Sequence, residues 1–503
     1  MHTFLDPLKR ARTTASDRIA FVDGSTRHTY AEFWSRCCRL AGALRVAGMQ
    51  PGDRIAILAA NGGPYLETYV AVPAAGMVVV PLNTRHAEPE LQYALEDSGT
   101  RILLCDREPG KLADAVERVV RVPDEYEELL AAADEAELGV GVEEETLAGL
   151  FYTGGTTGAS KGVMLTHRNL IANTFHWMAS LPYADDDVYM IMAPMFHAAG
   201  SNPVLANIWN GITQVLVPVF DPGAALDIIE REKVTGTLGV PTMLAAMAEE
   251  QLVKPRDTSS LRAFTHGGSP LATELLRRAR SAMPSAELVE VYGATETSPL
   301  ATLLRHEEGL FESDRARSCG QSVLGVEIKI LSEDEKPLPT GEGGEVGSSG
   351  PNVMRGYWNK PEQSASVLRE SGYWSGDLGY MDDEGYVFLV DRSKDMIVSG
   401  GENVYSTEVE EVLYRHERVL EAAVFGVPDE KWGEAVWAVV VPRDGAELCT
   451  EELIECCRQH IGGYKVPKGV SFQSEPLPKS GPGKVLKREL RAPFWEGRDR
   501  SVN

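Results

Sequence analysis

The sequence predicts an α/β fold: a large N-terminal domain of helix-covered β-sheets, then a smaller, mobile C-terminal α+β domain. Short apolar runs alternate with amphipathic helical stretches, a pattern typical of parallel sheets covered by helices. The length of 503 residues exceeds one ordinary domain, since domains usually have about 100–200 residues. Near residue 392 a Gly-rich, strand-like region also gives way to a second β/α alternation.

Apolar runs bounded by turn residues predict the first strands, because such runs are typical of buried strands. They lie at 53–62, 77–83, 101–106 and 151–155. Helical patterns are found at 30–49 and 90–99, and a further helix is expected to start at Thr166 and His167. The Ala/Glu-rich stretch 131–145 predicts an exposed helix and surface connector.

The C-terminal elements follow the same logic. The predicted order is helix then strand over 407–427, a strand over 435–444, a helix over 447–461 and a strand over 470–478. About 110 residues of this pattern are enough to bury a small core. We therefore expect a boundary within 391–395. The two domains are then 1–393 and 394–503, joined at one hinge.

Composition excludes several classes of partner. The chain has 74 acidic and 49 basic residues and a net charge of −25, so phosphate backbones and anionic lipid should repel it. No apolar run is long enough to span a bilayer, and the start lacks the apolar core of a signal peptide. Seven cysteines without a C-x-x-C pair fit buried or half-buried thiols in a reducing compartment. These features predict a cytoplasmic protein, either a monomer or a homodimer.

The segment 153–162 has the composition of a phosphate-binding loop. It contains Thr153, Gly154, Gly155, Thr156, Thr157, Gly158, Ala159, Ser160, Lys161 and Gly162. Glycines let backbone N–H groups turn toward an anion, hydroxyls add donors, and the lysine adds charge. The spacing is not that of a Walker A loop, because Lys161 follows Ser160 rather than Gly. A plain flexible Gly/Thr surface loop is the alternative.

Four further segments carry candidate site residues. In EVYGATETSP (290–299) the Glu296 carboxylate is a suitable ligand for Mg²⁺, which prefers carboxylate and phosphate oxygens. GYWSGDLGY (372–380) places Asp377 in a predicted Gly-flanked turn, where it could accept from sugar hydroxyls. Arg392 precedes a Gly-Gly turn and a helix start, and Lys484 lies in a Gly/Pro-rich loop. Each residue has an ordinary alternative as a solvated turn residue.

In this order and spacing, the five segments resemble the adenylate-forming superfamily of acyl- and aryl-CoA ligases, adenylation domains and luciferases, over residues from about 20 to 492. The resemblance implies that 153–162 holds the β- and γ-phosphates of ATP and that Lys161 and Lys484 offset charge. The other implied roles are as follows: Tyr292 near adenine, Thr295 at the α-phosphate, Glu296 on Mg²⁺, Asp377 and Arg392 on the ribose, Lys394 as hinge, Lys484 bridging acid and α-phosphate, Gly268 at the nucleotide, and His197, Gly267, Gly293 and Ala294 around the acyl group.

Three departures from the family pattern are visible. Gly154 replaces a commoner Ser, Ser160 replaces a usual Pro, and the C-terminal loop reads SGPGK rather than T-x-T-G-K. Gly at position 154 occurs in fatty-acyl members, and the C-terminal Gly–Lys pair is retained. The departures therefore do not indicate an inactive enzyme.

The implied reaction is ATP- and Mg²⁺-dependent activation of a carboxylic acid to acyl-AMP, with pyrophosphate release. The small domain then rotates and presents the Gly400–Gly401 turn to a tunnel for coenzyme A, which gives an acyl-CoA. An amine acceptor (amide synthetase) and a carrier protein (loading module) stay open as alternatives. A binder without turnover is disfavoured, because it would not need a full charge-neutralising set.

Two further features bear on the substrates. The basic excess over 465–491 could meet the phosphates of coenzyme A or simply be a solvated face. The segment 196–211 around His197 is small and apolar, with no Arg or Lys to pair a second carboxylate. A malonate-type acid is therefore disfavoured, and an aryl or medium-chain monocarboxylic acid is expected.

Overall fold

A computed structural model of the chain describes residues 2–153, 160–268, 273–392, 395–399, 402–429, 432–443, 445–479 and 485–496. The α-helices within these ranges are α1 (Leu5–Thr14), α2 (Tyr30–Val46), α3 (Gly63–Ala74), α4 (Glu88–Ser98), α5 (Asp124–Ala132), α6 (His167–Ser180), α7 (Ala198–Asn210), α8 (Pro222–Glu232), α9 (Pro241–Val253), α10 (Thr273–Ala282), α11 (Pro361–Val367), α12 (Ser406–Tyr414), α13 (Thr450–Arg458) and α14 (Lys487–Arg491).

The strands in the same ranges are β1 (Ile19–Asp23), β2 (Thr26–Thr29), β3 (Arg54–Leu58), β4 (Val78–Pro81), β5 (Ile102–Cys105), β6 (Arg118–Arg121), β7 (Leu147–Thr153), β8 (Lys161–Thr166), β9 (Val188–Ile191), β10 (Thr213–Leu216), β11 (Gly236–Gly239), β12 (Ala263–Gly267), β13 (Glu287–Tyr292), β14 (Thr302–Arg305), β15 (Gln321–Ser322), β16 (Glu327–Leu331), β17 (Gly344–Ser349), β18 (Gly356–Tyr357), β19 (Leu368–Arg369), β20 (Gly372–Met381), β21 (Val387–Arg392), β22 (Ile397–Ser399), β23 (Glu402–Val404), β24 (Val419–Asp429), β25 (Gly433–Pro442) and β26 (Gly469–Phe472).

Two large, mostly parallel sheets form the first part of the molecule. Among the described residues, one sheet has the strand order β15-β14-β13-β12-β11-β9-β10-β1-β2 and the other β18-β8-β7-β4-β3-β5-β6. In the first sheet, β1 and β9 to β13 pair in parallel with their neighbours among these strands. In the second sheet, β3 to β7 do the same. Antiparallel strands close both edges of the first sheet and the β18 edge of the second, whereas β6 ends the second sheet as a parallel strand. The parallel centres confirm the predicted fold class.

Two smaller sheets complete the described chain. Strands β16, β17, β19, β20 and β21 form an antiparallel sheet before the predicted boundary. Strands β22 to β26 form a separate sheet after it. The last sheet has apolar side chains of its own on both faces, including Val424 and Leu453 on one and Phe425 and Leu477 on the other. This C-terminal part therefore buries the small core that the sequence predicted.

Local capping explains where two of the N-terminal helices begin. Thr29 Oγ1 accepts from the Glu32 N–H at 3.2 Å, while the Thr29 N–H donates to Glu32 Oε2 at 2.7 Å. Thr166 and Asn169 form the same reciprocal pair at the start of α6, which confirms the predicted helix start. Each pair satisfies backbone donors that a helix N-terminus leaves free.

One predicted element is wrong. Beyond Ala132, the stretch 131–145 is irregular rather than helical. Gly139 and Gly141 have φ of +81° and +71°, which a right-handed helix does not allow. The chain instead packs along α2 and α3, where the Ala136 N–H donates to the Cys38 carbonyl and the Gly139 N–H to the Ala74 carbonyl. Tertiary contacts thus replace the helix that Ala and Glu favour.

Six of the seven cysteines are buried or half-buried, as the sequence predicted, and Cys449 is not. All seven cysteines are free thiols; Cys37, Cys38, Cys105, Cys319 and Cys457 are buried, Cys456 is half-buried and Cys449 is exposed. Burial raises the pKa of the Cys457 thiol to about 12. No helix among the described residues is long and apolar enough to cross a membrane.

Candidate active site

The turn after β13 carries the Y-G-A-T-E residues at the carboxyl edge of a parallel sheet. Tyr292 ends the strand, and Thr295–Thr297 form a short 3₁₀ turn. Gly293 has φ of +158°, and a Cβ there would collide with the Pro299 carbonyl oxygen. Only glycine fits this position, because the backbone folds back on itself.

A side chain from a distant segment holds this turn in place. Asn352 is fully buried and donates through Nδ2 to the Thr297 carbonyl at 2.7 Å and the Leu300 carbonyl at 3.0 Å. Ser298 Oγ donates in return to the Asn352 carbonyl at 2.7 Å. Because buried polar groups without partners are costly, these bonds favour one conformation of the turn.

Glu296 and Lys161 lie on either side of one tyrosine. The Tyr357 hydroxyl donates to Glu296 Oε1 at 2.8 Å, and Lys161 Nζ lies 4.6 Å from the centre of the Tyr357 ring. Burial, and then the Glu296 charge, raise the pKa of Tyr357, so its hydroxyl stays a donor. Two residues 135 positions apart in the printed sequence are thereby brought to one place. Such an arrangement places a carboxylate and a cation where a metal–phosphate group could be bound.

The predicted phosphate loop is closed by a hairpin. Thr153 and Lys161 are direct register partners on antiparallel strands β7 and β8. Tyr357 on β18 pairs with Val163 on β8, which explains how its ring reaches Lys161. Gly154, Gly155, Thr156, Thr157 and Gly158 lie outside the described residues.

Tyr292 and Asp377 form the second cluster. The Tyr292 hydroxyl donates to Asp377 Oδ2 at 2.9 Å, and burial followed by the Asp377 charge raises the pKa of Tyr292. Asp377 and Arg392 are register partners on neighbouring strands β20 and β21, so the two predicted ribose ligands lie opposite each other along the backbone. The structure thus brings the predicted adenine and ribose residues together.

The predicted setting of Asp377 is wrong. The residue lies inside strand β20, not in a tight turn. Gly376 has φ of +74°, and the pairing of β20 shifts register against both neighbouring strands. The glycines therefore produce bulges within a long strand, and bulges commonly redirect side chains near functional sites.

His197 lies at the N-terminus of α7, in the predicted acid-binding segment. Its Nε2 is buried without a hydrogen-bond partner among the described residues, and burial lowers its pKa to about 4. Asn61 holds the preceding segment: its Nδ2 donates to the Ala193 carbonyl at 2.9 Å, and its Oδ1 accepts from the Met195 N–H at 2.8 Å. The imidazole is therefore neutral at pH 7 and follows a segment that Asn61 holds in place.

Arg85 and His86 are additions that the sequence did not reveal. Both add to the lowering of the His197 pKa, so positive charge lies near this ring. They come from the loop after β4, far from 196–211 in sequence. No local pattern marks them, because only the fold brings this loop beside α7.

The glycine pair Gly267–Gly268 lies at the end of β12. At Gly267 a Cβ would collide with the Val291 carbonyl oxygen, and Gly268 has φ of +89°. Both requirements keep side chains away from the end of β12, as expected for a surface that a flat base approaches. Lys394, Gly400, Gly401 and Lys484 lie outside the described residues, and Arg392 is described through its backbone alone.

The basic C-terminal segment is largely engaged within its own part of the fold. Lys465 Nζ lies 2.7 Å from Glu408, and Lys487 Nζ lies 2.7 Å from Glu410. Lys479 pairs with Glu421, and Arg491 lies 3.8 Å from Asp395. Much of the positive charge of residues 465–491 is thus neutralised by acidic neighbours. The sequence had suggested either contact with the phosphates of coenzyme A or a solvated face, and neither alternative included these ion pairs.

Comparisons with known proteins are consistent across the chain. The family described as AMP-binding enzyme matches residues 8–358, and the AMP-binding enzyme C-terminal domain matches residues 408–484. The feruloyl-CoA synthase of Amycolatopsis sp is 43% identical, over 97% of this chain and 98% of that protein. The long-chain-fatty-acid–CoA ligase FadD13 of Mycobacterium tuberculosis strain H37Rv is 34% identical, over 96% and 97%. The structure of o-succinylbenzoate CoA synthetase (MenE) from Bacillus subtilis in complex with the acyl-adenylate intermediate OSB-AMP has a TM-score of 0.87 at 32% identity, over 97% and 98% of the chains.

Proposed function

Because the chain belongs to the AMP-binding enzyme family, we propose that it is an ATP-dependent acid–CoA ligase acting on an aryl monocarboxylic acid. The observation that carries this proposal is the convergence of Glu296 and Lys161 on Tyr357. A nucleotide-binding protein without turnover would not need a carboxylate held beside a lysine at the phosphate end of the site.

The first step joins two anions and therefore needs positive charge. A carboxylate oxygen of the acid attacks the α-phosphorus of ATP, an acyl–phosphate bond forms, and the bond to pyrophosphate breaks. Glu296 is a suitable ligand for Mg²⁺. The Tyr357 hydroxyl donates to its Oε1, and no hydrogen bond from the described residues reaches its Oε2. The ion would supply charge stabilisation, and Lys161 adds a second cation.

Tyr292 and Asp377 support the position of the nucleoside. Asp377 accepts from the Tyr292 hydroxyl, and Asp377 and Arg392 are proposed to bind the ribose hydroxyls. Tyr292, Gly267, Gly268 and Gly293 would leave a flat space for adenine. Holding the reactants in line contributes much of the acceleration in such transfers.

Several proposed roles fall on residues outside the described ranges. Gly154 to Gly158 would hold the β- and γ-phosphates, and Lys484 would bridge the acid and the α-phosphate. Thr295, in the described turn after β13, would reach the α-phosphate. Residues 394–503 would rotate about Lys394 after adenylation. The separate C-terminal sheet and core support this division at 393, since a unit with its own core can move as a body.

The second step transfers the acyl group to a thiol. The sulfur of coenzyme A attacks the acyl carbonyl, AMP leaves, and a thioester results. Relatives named as acid–CoA ligases favour this acceptor over an amine. Loading of a carrier protein is a lesser alternative with the same thioester chemistry.

The acid is proposed to be aromatic. The relative named for feruloyl-CoA is 43% identical, against 34% for the fatty-acyl ligase, and the segment around His197 is apolar and small. Arg85, whose charge contributes to the lowered pKa of His197, is proposed to recognise a polar group on the acid. We also propose a cytoplasmic location, which the free thiols support.

The adenylation step is tested with Lys484→Ala, measured as acid-dependent pyrophosphate release. We expect a loss of at least about 100-fold, the size of effect seen when one charge-stabilising donor is removed. Lys468→Ala, at an exposed lysine of the same region, is the control and should keep full activity. Equal rates in wild type and Lys484→Ala would refute the assignment of this residue.

The substrates are tested by mass spectrometry of a panel of acids with ATP and Mg²⁺, in the presence of coenzyme A, amines or neither. Ferulate and other aryl acids should give CoA thioesters. Amide without thioester would replace the proposed acceptor, and preferred turnover of dicarboxylic acids, lost in Arg85→Ala, would replace the proposed acid.

A further inference from the structure

Three neighbouring strands bring two histidines and a glutamate together in the larger sheet. His266 on β12 and Glu290 on β13 are direct register partners. His306 follows β14 two residues after Leu304, the register partner of Glu290. Because side chains alternate along a strand, all three point to the same face of the sheet. Their ligand atoms lie within 4.8 Å of one another.

The cluster is buried and its polar atoms are poorly satisfied. His266 is 0% exposed and His306 4% exposed. Both ring nitrogens of both histidines are buried without a hydrogen-bond partner among the described residues. Buried polar groups are usually paired, and a group left unpaired costs about 1–3 kcal/mol. Four such atoms next to one carboxylate therefore call for a ligand.

The two imidazole rings do not form a hydrogen-bonded pair with each other. They stack nearly parallel, with centres 5.6 Å apart and planes 10° apart, so neither ring donates to the other. His306 Nε2 lies 3.4 Å from Glu290 Oε2. Ligands of a tetrahedral zinc ion, with bonds of about 2.0–2.1 Å, are separated by about 3.3 Å. One ligand pair already has this spacing, and small rotamer changes would bring in the third.

We propose that His266, Glu290 and His306 form a binding site for a divalent transition metal, with zinc as the best-fitting ion. Two imidazoles and one carboxylate are a common zinc ligand set, and they bind Mg²⁺ poorly because that ion prefers oxygen ligands. A fourth position is left for water or another donor. The ion is structural: it ties together β12, β13 and the end of β14.

The proposed metal site lies next to residues of the proposed adenine site. His266 directly precedes Gly267, and Glu290 lies two residues before Tyr292. An ion here would fix the ends of two strands that lead into the proposed adenine site. It would not take part in the chemistry, for which Glu296 is the proposed Mg²⁺ ligand. Zinc binding at this site is independent of the proposed reaction.

The test uses the untagged, full-length protein, stripped with a chelator and equilibrated with micromolar zinc in excess Mg²⁺. The excess of Mg²⁺ occupies oxygen-rich sites, so zinc reports on nitrogen ligands. After gel filtration, elemental analysis should find about one zinc ion per chain, as expected for one site with three protein ligands. Zinc should also raise Tm, because a ligand that binds only the folded state stabilises it.

His306→Gln and Glu290→Gln should lower bound zinc at least about tenfold, since each removes one of three protein ligands. His176→Gln is the matched control: this histidine is buried with an unpaired Nδ1, and burial alone lowers its pKa. It should bind zinc like wild type. Absence of stoichiometric zinc in wild type would overturn the proposal, whether or not the variants fold. Full zinc retention by a folded His306→Gln protein would overturn it as well.

Discussion

Replacing Tyr357 with phenylalanine isolates one hydrogen bond at the phosphate end of the site. The variant removes the hydroxyl that donates to Glu296 Oε1 at 2.8 Å. It keeps the ring against which Lys161 Nζ lies 4.6 Å from the centre, and a phenyl ring still attracts a cation. The substitution therefore changes the position of Glu296 while leaving Lys161 in place.

The expected size follows from the charge on the acceptor. A hydrogen bond to a charged group contributes about 1.5–3 kcal/mol, and 1.4 kcal/mol corresponds to a factor of ten. Loss of a partner that orients a metal ligand typically costs about 10–100-fold in metal affinity or activity. We therefore expect kcat/KM for pyrophosphate release to fall about 10–100-fold, with a higher Mg²⁺ concentration needed for half-maximal rate.

The assay measures pyrophosphate release over a Mg²⁺ titration, with urea unfolding measured in parallel. Tyr126→Phe is the matched control, because the Tyr126 hydroxyl also donates to a buried carboxylate, Glu67 Oε2, at 2.7 Å. Both variants should lose stability, but only Tyr357→Phe should change the Mg²⁺ dependence. If the two titrations coincide with that of wild type, Tyr357 does not position the proposed Mg²⁺ ligand.

Three further predictions concern stability. Gly293→Ala should lower Tm strongly in thermal unfolding, because its Cβ would meet backbone, whereas Gly309→Ala, with open space around it, should be nearly neutral. Arg36→Met should cost about 3–5 kcal/mol in urea unfolding, since it leaves the fully buried Glu67 carboxylate without its cation; a loss under about 1 kcal/mol would contradict this. His167 is fully buried with its pKa lowered from 6.5 to about 4. Below pH 6.5 the unfolded chain binds a proton at this histidine and the folded chain does not. The free energy of unfolding therefore decreases as the pH is lowered, by about 2 kcal/mol between pH 7 and pH 5. His167→Asn should flatten this fall in denaturant unfolding at pH 7 and 5, and an unchanged slope would place the titration elsewhere.

Periodicity and motif order predicted most of the fold, because strands and helices are encoded locally. Strands β3, β4, β5 and β7 and helices α2 and α4 lie where apolar runs and amphipathic patterns placed them. The error at 131–145 has a different origin. Its alanines and glutamates favour a helix, but Gly139, Gly141 and contacts to α2 and α3 decide the conformation. Tertiary contacts of this kind leave no mark in a local pattern.

The sequence named candidate residues of the site but not the contacts between them. Glu296, Asp377 and Tyr292 were identified from their segments, while Tyr357 and the Tyr292–Asp377 hydrogen bond became evident only from the structure. Tyr357 lies on a two-residue strand, and nothing in the neighbouring sequence distinguishes it from a packed aromatic. The same holds for Arg85, which comes near His197 through the path of the chain alone. Pairings across distant segments depend on register, which single-sequence patterns do not reveal.

Among the described residues, those around 351–358 contact the proposed nucleotide side of the site and not the proposed acid side. Asn352 fixes the turn after β13, Tyr357 orients Glu296, and Trp358 Nε1 donates to the Asp97 carbonyl at 3.0 Å. His197 and Arg85 come from other loops. Acid preference can therefore diversify, by evolution or by design, without disturbing ATP use. Libraries aimed at new acids should vary the loops around His197 and keep residues 351–358 constant.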